Sequence, residues 1–235
     1  SKRHGATSCH EFQERGYLPE ALRNFIALLG WSHPGGKEVM DLAELSQEFS
    51  VERLNPAPAV FDDKKLLWMN SVYLRALEPN TFWNHFEKFA KDLEIPLESD
   101  WRTRAFNGLK HTFETFAQGV EVFKNLSQPH FEISAEASEV YAWPSTKSVL
   151  ETWCKELEEV EATKPTGGSP FLDEARFHQI QDLVKNKTGA KGKFLFMAIR
   201  VGVIGKPHGT DLKLLVPLIE VKSLILRAKL ALKVG

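Results

Sequence analysis

The residues of this chain whose types and grouping most clearly point to a function are the cations of its last fifth. Residues 185–235 hold eleven Lys or Arg against Asp211 and Glu220, a local charge of +9, and the residues before them carry a balancing −10. Positive charge gathered at one end of an otherwise acidic chain is the usual footprint of a protein that binds a phosphate backbone. It is equally typical of a solvated helical surface, and charge alone leaves both interpretations open.

The sequence lacks the residues that several other kinds of site would need. The two cysteines, Cys9 and Cys154, are too few for a disulfide framework and have no ligand partners at zinc spacing, which fits a reducing compartment. The sequence contains no complete phosphate-cradling loop, no dinucleotide fingerprint and no nucleophile elbow. We therefore predict no metal site and no catalytic centre complete within these residues.

Helices must position the cations, because apolar residues recur at helical spacing almost throughout. Residues 18–29 place an apolar side chain on one stripe at every turn, and 82–93 repeat the device with phenylalanines. The run at 193–205 permits a strand, but its setting favours a buried helix. The sequence predicts an all-α fold with helices at 19–30, 63–77, 80–93, 99–107, 109–125, 145–161, 170–186 and, with breaks, 209–233.

Helix ends are signalled by local chemistry. Pro19 suits a first-turn position and Gly30 a stop, while Asp62 is a candidate N-cap. Asn80 or Thr81 is expected to cap the third helix.

Side-chain types also predict which surfaces are covered. The carboxylates at 156–161 are expected to form a solvated helix face, and each of the six tryptophans to lie in a core. No apolar run approaches the length of a membrane span. Joints that combine Pro with Gly or Ser lie at 30–38, 54–62, 125–134 and 162–170, and the third is the best boundary between helical lobes.

The order of several segments resembles one family. The blocks "GYLPEALRNFIALLGWS" (16–32), "VFDDKKLLWMNSVYLRAL" (60–77) and "FMAIRVGVIGKPHGTDL" (196–212) are similar, in family order, to bacterial glutamyl-tRNA synthetases. Residues 1–3, Ser-Lys-Arg, resemble the last three positions of the K-M-S-K-S signature loop of these class I enzymes. The resemblance thus covers nearly the whole chain, from that loop onward, without the nucleotide-fold catalytic domain.

This resemblance implies an organisation and a function. We expect a stem-contact domain at 1–78 followed by two helical anticodon-binding lobes at 79–129 and 130–235, the α-helical cage of the family. The chain would bind tRNA and not DNA, as part of a cytoplasmic, monomeric ligase that needs ATP with Mg²⁺ when whole. On its own it would hold no cofactor, bind no membrane and be inactive.

The resemblance also implies particular sites. Lys2 corresponds to a lysine that contacts ATP phosphates, although here it is a remnant without the other half of its site. Arg200 matches an arginine that contacts the first anticodon base. Gly209 and Thr210 stand in the following turn, where the family often has Thr-Pro, and we expect backbone N–H groups there to face the nucleotide. Arg75, near the end of the stem-contact helix, is a candidate contact to the tRNA backbone, with a plain surface role as the alternative.

Thr112 bears on which tRNA is bound. Discriminating members of the family carry an arginine at the matching position, before a segment that here reads "FET". Arginine only donates, so it pairs with the acceptors of C and rejects the N–H groups of G. Because a threonine hydroxyl donates or accepts, the chain is expected to accept glutamine tRNA beside glutamate tRNA. Lys110 or Arg104 would take this role if the alignment is shifted by one turn.

Two other functions remain open on the residues alone. One is a stand-alone tRNA-binding factor, or a paralogue without catalytic activity, that delivers tRNA to another enzyme. The other is a helical adapter for protein partners, which salt-dependent tRNA binding would exclude.

Overall fold

The protein is helical throughout the part that is described. The computed structural model describes residues 8–56, 59–127 and 131–234. Within these ranges no strand forms, and extended backbone pairs only at two isolated bridges, Trp31 with Leu54 and Phe171 with Glu220. The all-α prediction is confirmed.

The connections between the helices range from three residues, between α4 and α5, to more than ten. In chain order they are α1 (Cys9–Glu14), α2 (Pro19–Gly30), α3 (Leu42–Glu48), α4 (Asp63–Arg75), α5 (Pro79–Phe86), α6 (Ser99–Leu109), α7 (Phe116–Lys124), α8 (Ser138–Tyr141), α9 (Thr146–Thr163), α10 (Glu174–Thr188), α11 (Lys193–Ile204), α12 (Leu212–Leu215) and α13 (Val221–Val234). None of them is long and apolar enough to cross a membrane.

Several helix ends confirm the local predictions. Helix α2 begins at Pro19 and ends at Gly30. The carboxylate of Asp62 accepts the N–H groups of Lys64 and Lys65 at the start of α4, satisfying donors that have no partner inside the helix. The ambiguous run at 193–205 forms α11 and is largely buried.

Several predicted boundaries are wrong: the helix predicted at 80–93 ends at Phe86, and the one predicted at 170–186 begins at Glu174. Helix α5 begins at Pro79, because a proline ring presets the first helical position, so Asn80 and Thr81 lie inside it. The helix predicted at 109–125 begins only at Phe116. Thr115 causes the delay, because its hydroxyl accepts the N–H of Gln118 and thereby caps α7 at that point.

The chain divides into two compact units. One comprises Ser1–Asp92 and Phe106–Val122, and the other Leu93–Ala105 and Phe123–Gly235. The finer division at 1–78, 79–129 and 130–235 stays a prediction.

The core of the first unit is an aromatic cluster. The Phe82 ring lies 4.7 Å from that of Phe106 and 5.1 Å from that of Phe86, and both neighbours are fully buried. Nearby polar groups are paired: the Asn70 oxygen accepts the N–H of Leu18 at 2.8 Å. This fixes α4 against the segment that enters α2.

The core of the second unit surrounds α9, which packs against α10, α11 and α13. Trp153 on α9 is fully buried and meets Phe177 edge to face at 6.1 Å. Glu156, predicted to be solvated, is instead only 4% exposed and paired with Lys187 of α10 at 2.5 Å. The solvated-face prediction is wrong there because α10 covers that side of α9.

The tryptophan prediction holds for four of the six. Trp31, Trp83, Trp101 and Trp153 are buried, and Trp143 is half-buried. The prediction is wrong for Trp68, which is 43% exposed. Its neighbours Leu66 and Met69 occupy the core-facing side of α4, which leaves Trp68 outward.

Candidate RNA-binding site

Helix α11 carries Arg200 and is held firmly at its C-terminus. Gly205 ends the helix in the left-handed conformation, at φ +72°, and its carbonyl accepts the N–H of Ser134 at 2.9 Å. A Cβ at this position would lie 1.9 Å from the carbonyl oxygen of Glu132. Only glycine allows so close an approach, so the loop that follows α11 starts from a fixed point.

Arg200 holds the far end of the same loop. Its Nη1 donates to the carbonyl of Gly209 at 3.1 Å and to the carbonyl of Thr210. Asp211 then accepts the N–H of Lys213 at 3.0 Å and caps α12. Hydrogen bonds therefore hold both ends of loop 205–211.

Burial shapes the charge of Arg200. The side chain is half-buried, and desolvation lowers the pKa of its guanidinium, an effect that the nearby Asp211 carboxylate opposes. The group stays cationic, because a lowered arginine pKa still lies far above neutral pH. A partly desolvated cation interacts more strongly with an approaching acceptor than one in open water.

A cavity of about 410 Å³ opens beside this arginine. Residues of α10, α11 and the start of α12 line it, among them Phe196, His178, Gln181 and Lys213. A volume in this range suits a small ligand or one unit of a larger one. The cavity offers two aromatic rings, an imidazole, an amide, two cations and the carboxylate of Asp211.

Of these lining residues, Phe196 on α11, His178 and Gln181 on α10, and Lys213 on α12 were not singled out from the sequence. Phe196 precedes Arg200 by one helical turn, a spacing that places both side chains on one face of α11. That spacing was an available signal. No local sequence pattern, in contrast, indicates that α10 supplies His178 and Gln181 to this cavity.

Comparison with known proteins finds similarity to glutamate–tRNA ligases. Residues 1–68 match the family model described as tRNA synthetases class I (E and Q), catalytic domain. The glutamate–tRNA ligase of Bdellovibrio bacteriovorus is 42% identical to the chain over 234 residues, which cover 99% of this chain and 46% of that relative. Glutamate–tRNA ligase 2 of Syntrophus aciditrophicus is 35% identical over 235 residues, with the same shares. The chain is therefore similar to glutamate–tRNA ligases along nearly all of its own length.

A solved structure has a similar fold. A crystal structure of a glutamate tRNA ligase from Elizabethkingia meningosepticum superposes with a TM-score of 0.79 at 21% identity, covering 99% of this chain and 44% of that one. The chain thus spans about half the length of the family members it matches.

The other sites implied by the family lie in the first unit. Thr112 is exposed just after α6, where its hydroxyl donates to the carbonyl of Leu109 at 2.7 Å. Arg75 is half-buried near the end of α4, and its Nε has no hydrogen-bond partner among the described residues. Lys110 donates to the Arg75 carbonyl at 3.4 Å. Lys2 lies outside the described residues.

Part of the C-terminal positive charge is neutralised inside the second unit. Lys187, Lys222 and Lys229 pair with glutamates of α9, at 2.5, 3.8 and 2.7 Å respectively. The acidic and basic segments of the sequence thus face each other in the fold. The local charge of +9 therefore overstates the field that a phosphate backbone would meet.

Proposed function

We propose that this chain is the C-terminal, tRNA-binding half of a glutamyl-tRNA synthetase, the ligase that when whole attaches glutamate to tRNA with ATP. The observation that carries the proposal is the Arg200 site. A half-buried guanidinium is bonded to the carbonyls of a closed loop beside an open cavity, in a chain that glutamate–tRNA ligases match along 99% of its length.

The chemistry of this site suits an unpaired anticodon base. Proteins read single-stranded RNA by stacking splayed bases on flat side chains and by hydrogen bonds to the exposed base edges. Nη1 of Arg200 is committed to loop 205–211, while the guanidinium also lines the cavity. We assign Arg200 to the first anticodon base, with the turn at Gly209 and Thr210 holding the nucleotide backbone.

The first unit would contact the rest of the tRNA. Arg75 is half-buried near the end of α4, and we assign its guanidinium to a phosphate of the stem. Thr112 is exposed, and its short hydroxyl cannot impose the rejection of G that an arginine would. The chain would therefore bind glutamine tRNA as well as glutamate tRNA.

ATP and Mg²⁺ are assigned to the whole enzyme and not to the described residues. Those residues contain no group of three or more His, Cys, Asp or Glu placed to hold a metal ion. The isolated chain is proposed to be a cytoplasmic monomer that binds tRNA without activating glutamate.

The decisive experiment measures tRNA binding against salt. Fluorescence anisotropy with an unmodified glutamate tRNA transcript should give a dissociation constant whose logarithm rises linearly with log salt, because each neutralised phosphate releases counterions. A DNA hairpin with the anticodon-arm sequence serves as the control and should bind more weakly. Equal binding of both, or binding of neither, would contradict the proposal, and the latter would favour an adapter for protein partners.

A further inference from the structure

Helix α11 exposes two phenylalanine rings in different surroundings. Phe194 is 43% exposed and Phe196 47%, although most of the helix is buried. The Phe194 ring already has an aromatic partner, since it meets Trp143 edge to face at 4.9 Å, with Lys193 5.4 Å from its centroid. The Phe196 ring instead lines the cavity beside Arg200.

We propose that Phe196 is the platform on which one unpaired base of the bound RNA stacks. This inference rests on the proposed function and deepens it, because it adds a recognition residue that the family resemblance does not indicate. Phe196 presents a flat apolar ring, 47% exposed, to a cavity of about 410 Å³, and such a ring is a surface on which nucleobases stack.

The inner wall of the cavity supplies groups for the edge of the same base. Gln181 is 8% exposed, and its Oε1 lies 3.2 Å from Nδ1 of His178. The other ring nitrogen of His178 lies 3.6 Å from the Glu174 carboxylate. An amide and an imidazole held in this way carry both donors and acceptors, which is what the edge of a base requires.

Arg200 then has two tasks at this site. Through Nη1 it positions loop 205–211, and its side chain lines the same cavity as Phe196. Stacking at Phe196 adds affinity without adding charge. It should therefore be separable from the electrostatic part of tRNA binding by its salt dependence.

The test compares Phe196→Ala with Phe194→Ala, which removes an equally exposed ring from the same helix. With a glutamate anticodon stem-loop as the probe, Phe196→Ala should weaken binding about tenfold and leave the salt slope unchanged, because stacking is worth that order of affinity per base. Phe194→Ala should stay within about twofold. 2-Aminopurine placed at each loop position in turn should lose its quenching at one position only, and only in Phe196→Ala.

Conservative variants separate stacking from simple burial. Phe196→Tyr should retain wild-type affinity, whereas Phe196→Leu, which keeps an apolar side chain without a ring, should bind as weakly as Phe196→Ala. Wild-type affinity in Phe196→Leu, or equal losses of affinity in Phe194→Ala and Phe196→Ala, would overturn the stacking inference. The proposed function would still stand in that case, provided that the wild type binds the stem-loop. Failure of the wild type to bind the stem-loop or tRNA would overturn both.

Discussion

The guanidinium of Arg227 donates to the carbonyl of Val203 at 2.8 Å from a position with no exposed surface. It also donates to the carbonyls of Asn125 and Leu126 at 2.7 and 3.0 Å, and lies 5.3 Å from the ring centroid of Phe131. Burial lowers the pKa of this guanidinium to about 10. One cation thus serves the carbonyls at the end of α11 and those just after α7.

Replacement of this arginine should destabilise the second unit. In Arg227→Met the three carbonyls lose their donor, and orphaned buried acceptors cost about 1–3 kcal/mol each when water cannot replace the bond. We expect the free energy of unfolding to fall by more than about 2 kcal/mol in urea titrations. Arg227→Lys should be nearly as damaging, because an ammonium cannot reproduce the planar fork. A loss below about 0.5 kcal/mol in both would show that the carbonyls find other donors.

Arg200→Ala should weaken tRNA binding by about 1–3 kcal/mol, the range for a good base contact. The loss should depend on the first anticodon base, which is tested with transcripts that differ only there. Lys213→Ala, which removes another cation from the same cavity, provides the matched control and should weaken all transcripts alike. Equal losses for every first base in Arg200→Ala would restrict this arginine to holding loop 205–211.

Thr112→Arg should sharpen the choice between tRNAs. We expect the wild type to prefer glutamate over glutamine tRNA transcripts by less than about tenfold, roughly 1.4 kcal/mol, and the variant to prefer it more. Thr112→Val is the control, because it removes the hydrogen bond to Leu109 without adding a donor for the base. A strong wild-type preference for glutamate tRNA would refute relaxed reading at this position.

The purified chain should not activate glutamate. Adenylate formation needs a pocket for ATP and the amino acid, and the H-I-G-H signature of the family is absent from the sequence. Glutamate-dependent exchange of pyrophosphate into ATP should stay at background, with and without tRNA. Exchange that persists after repurification and scales with the concentration of the chain would contradict this.

The pair between Lys187 and Glu156 should make stability fall in alkali. The hydrogen bond to the carboxylate raises the pKa of the Lys187 ammonium above its usual 10.5. The folded state therefore binds this proton more tightly than the unfolded state. The stabilisation is complete below the ordinary lysine pKa and is lost as pH rises through the raised one.

Unfolding in urea across the alkaline pH range tests the direction of this pH dependence. The difference in unfolding free energy between the wild type and Lys187→Met should shrink as pH rises. Lys185→Met, on the same helix, is the control and should show a flat difference. A difference in unfolding free energy that grows with pH would contradict a raised pKa of Lys187.

The sequence by itself determined the helical class and several helix ends. Pro19, Asp62 and the periodic apolar stripes act within one or two turns of chain, so their effect on the backbone can be read without knowing what packs nearby. The family resemblance, which rests on the order of segments, is likewise a property of the chain alone.

Only the tertiary structure decided which faces are covered and which side chains meet. Glu156 is buried because Lys187 and α10 lie over it, 31 residues further along the chain. Arg227 is enclosed by carbonyls about a hundred residues away, and Gln181 reaches the Arg200 cavity from a different helix. Helical spacing states that a residue lies on a face, but the cost or gain of burying it depends on partners that local sequence does not specify.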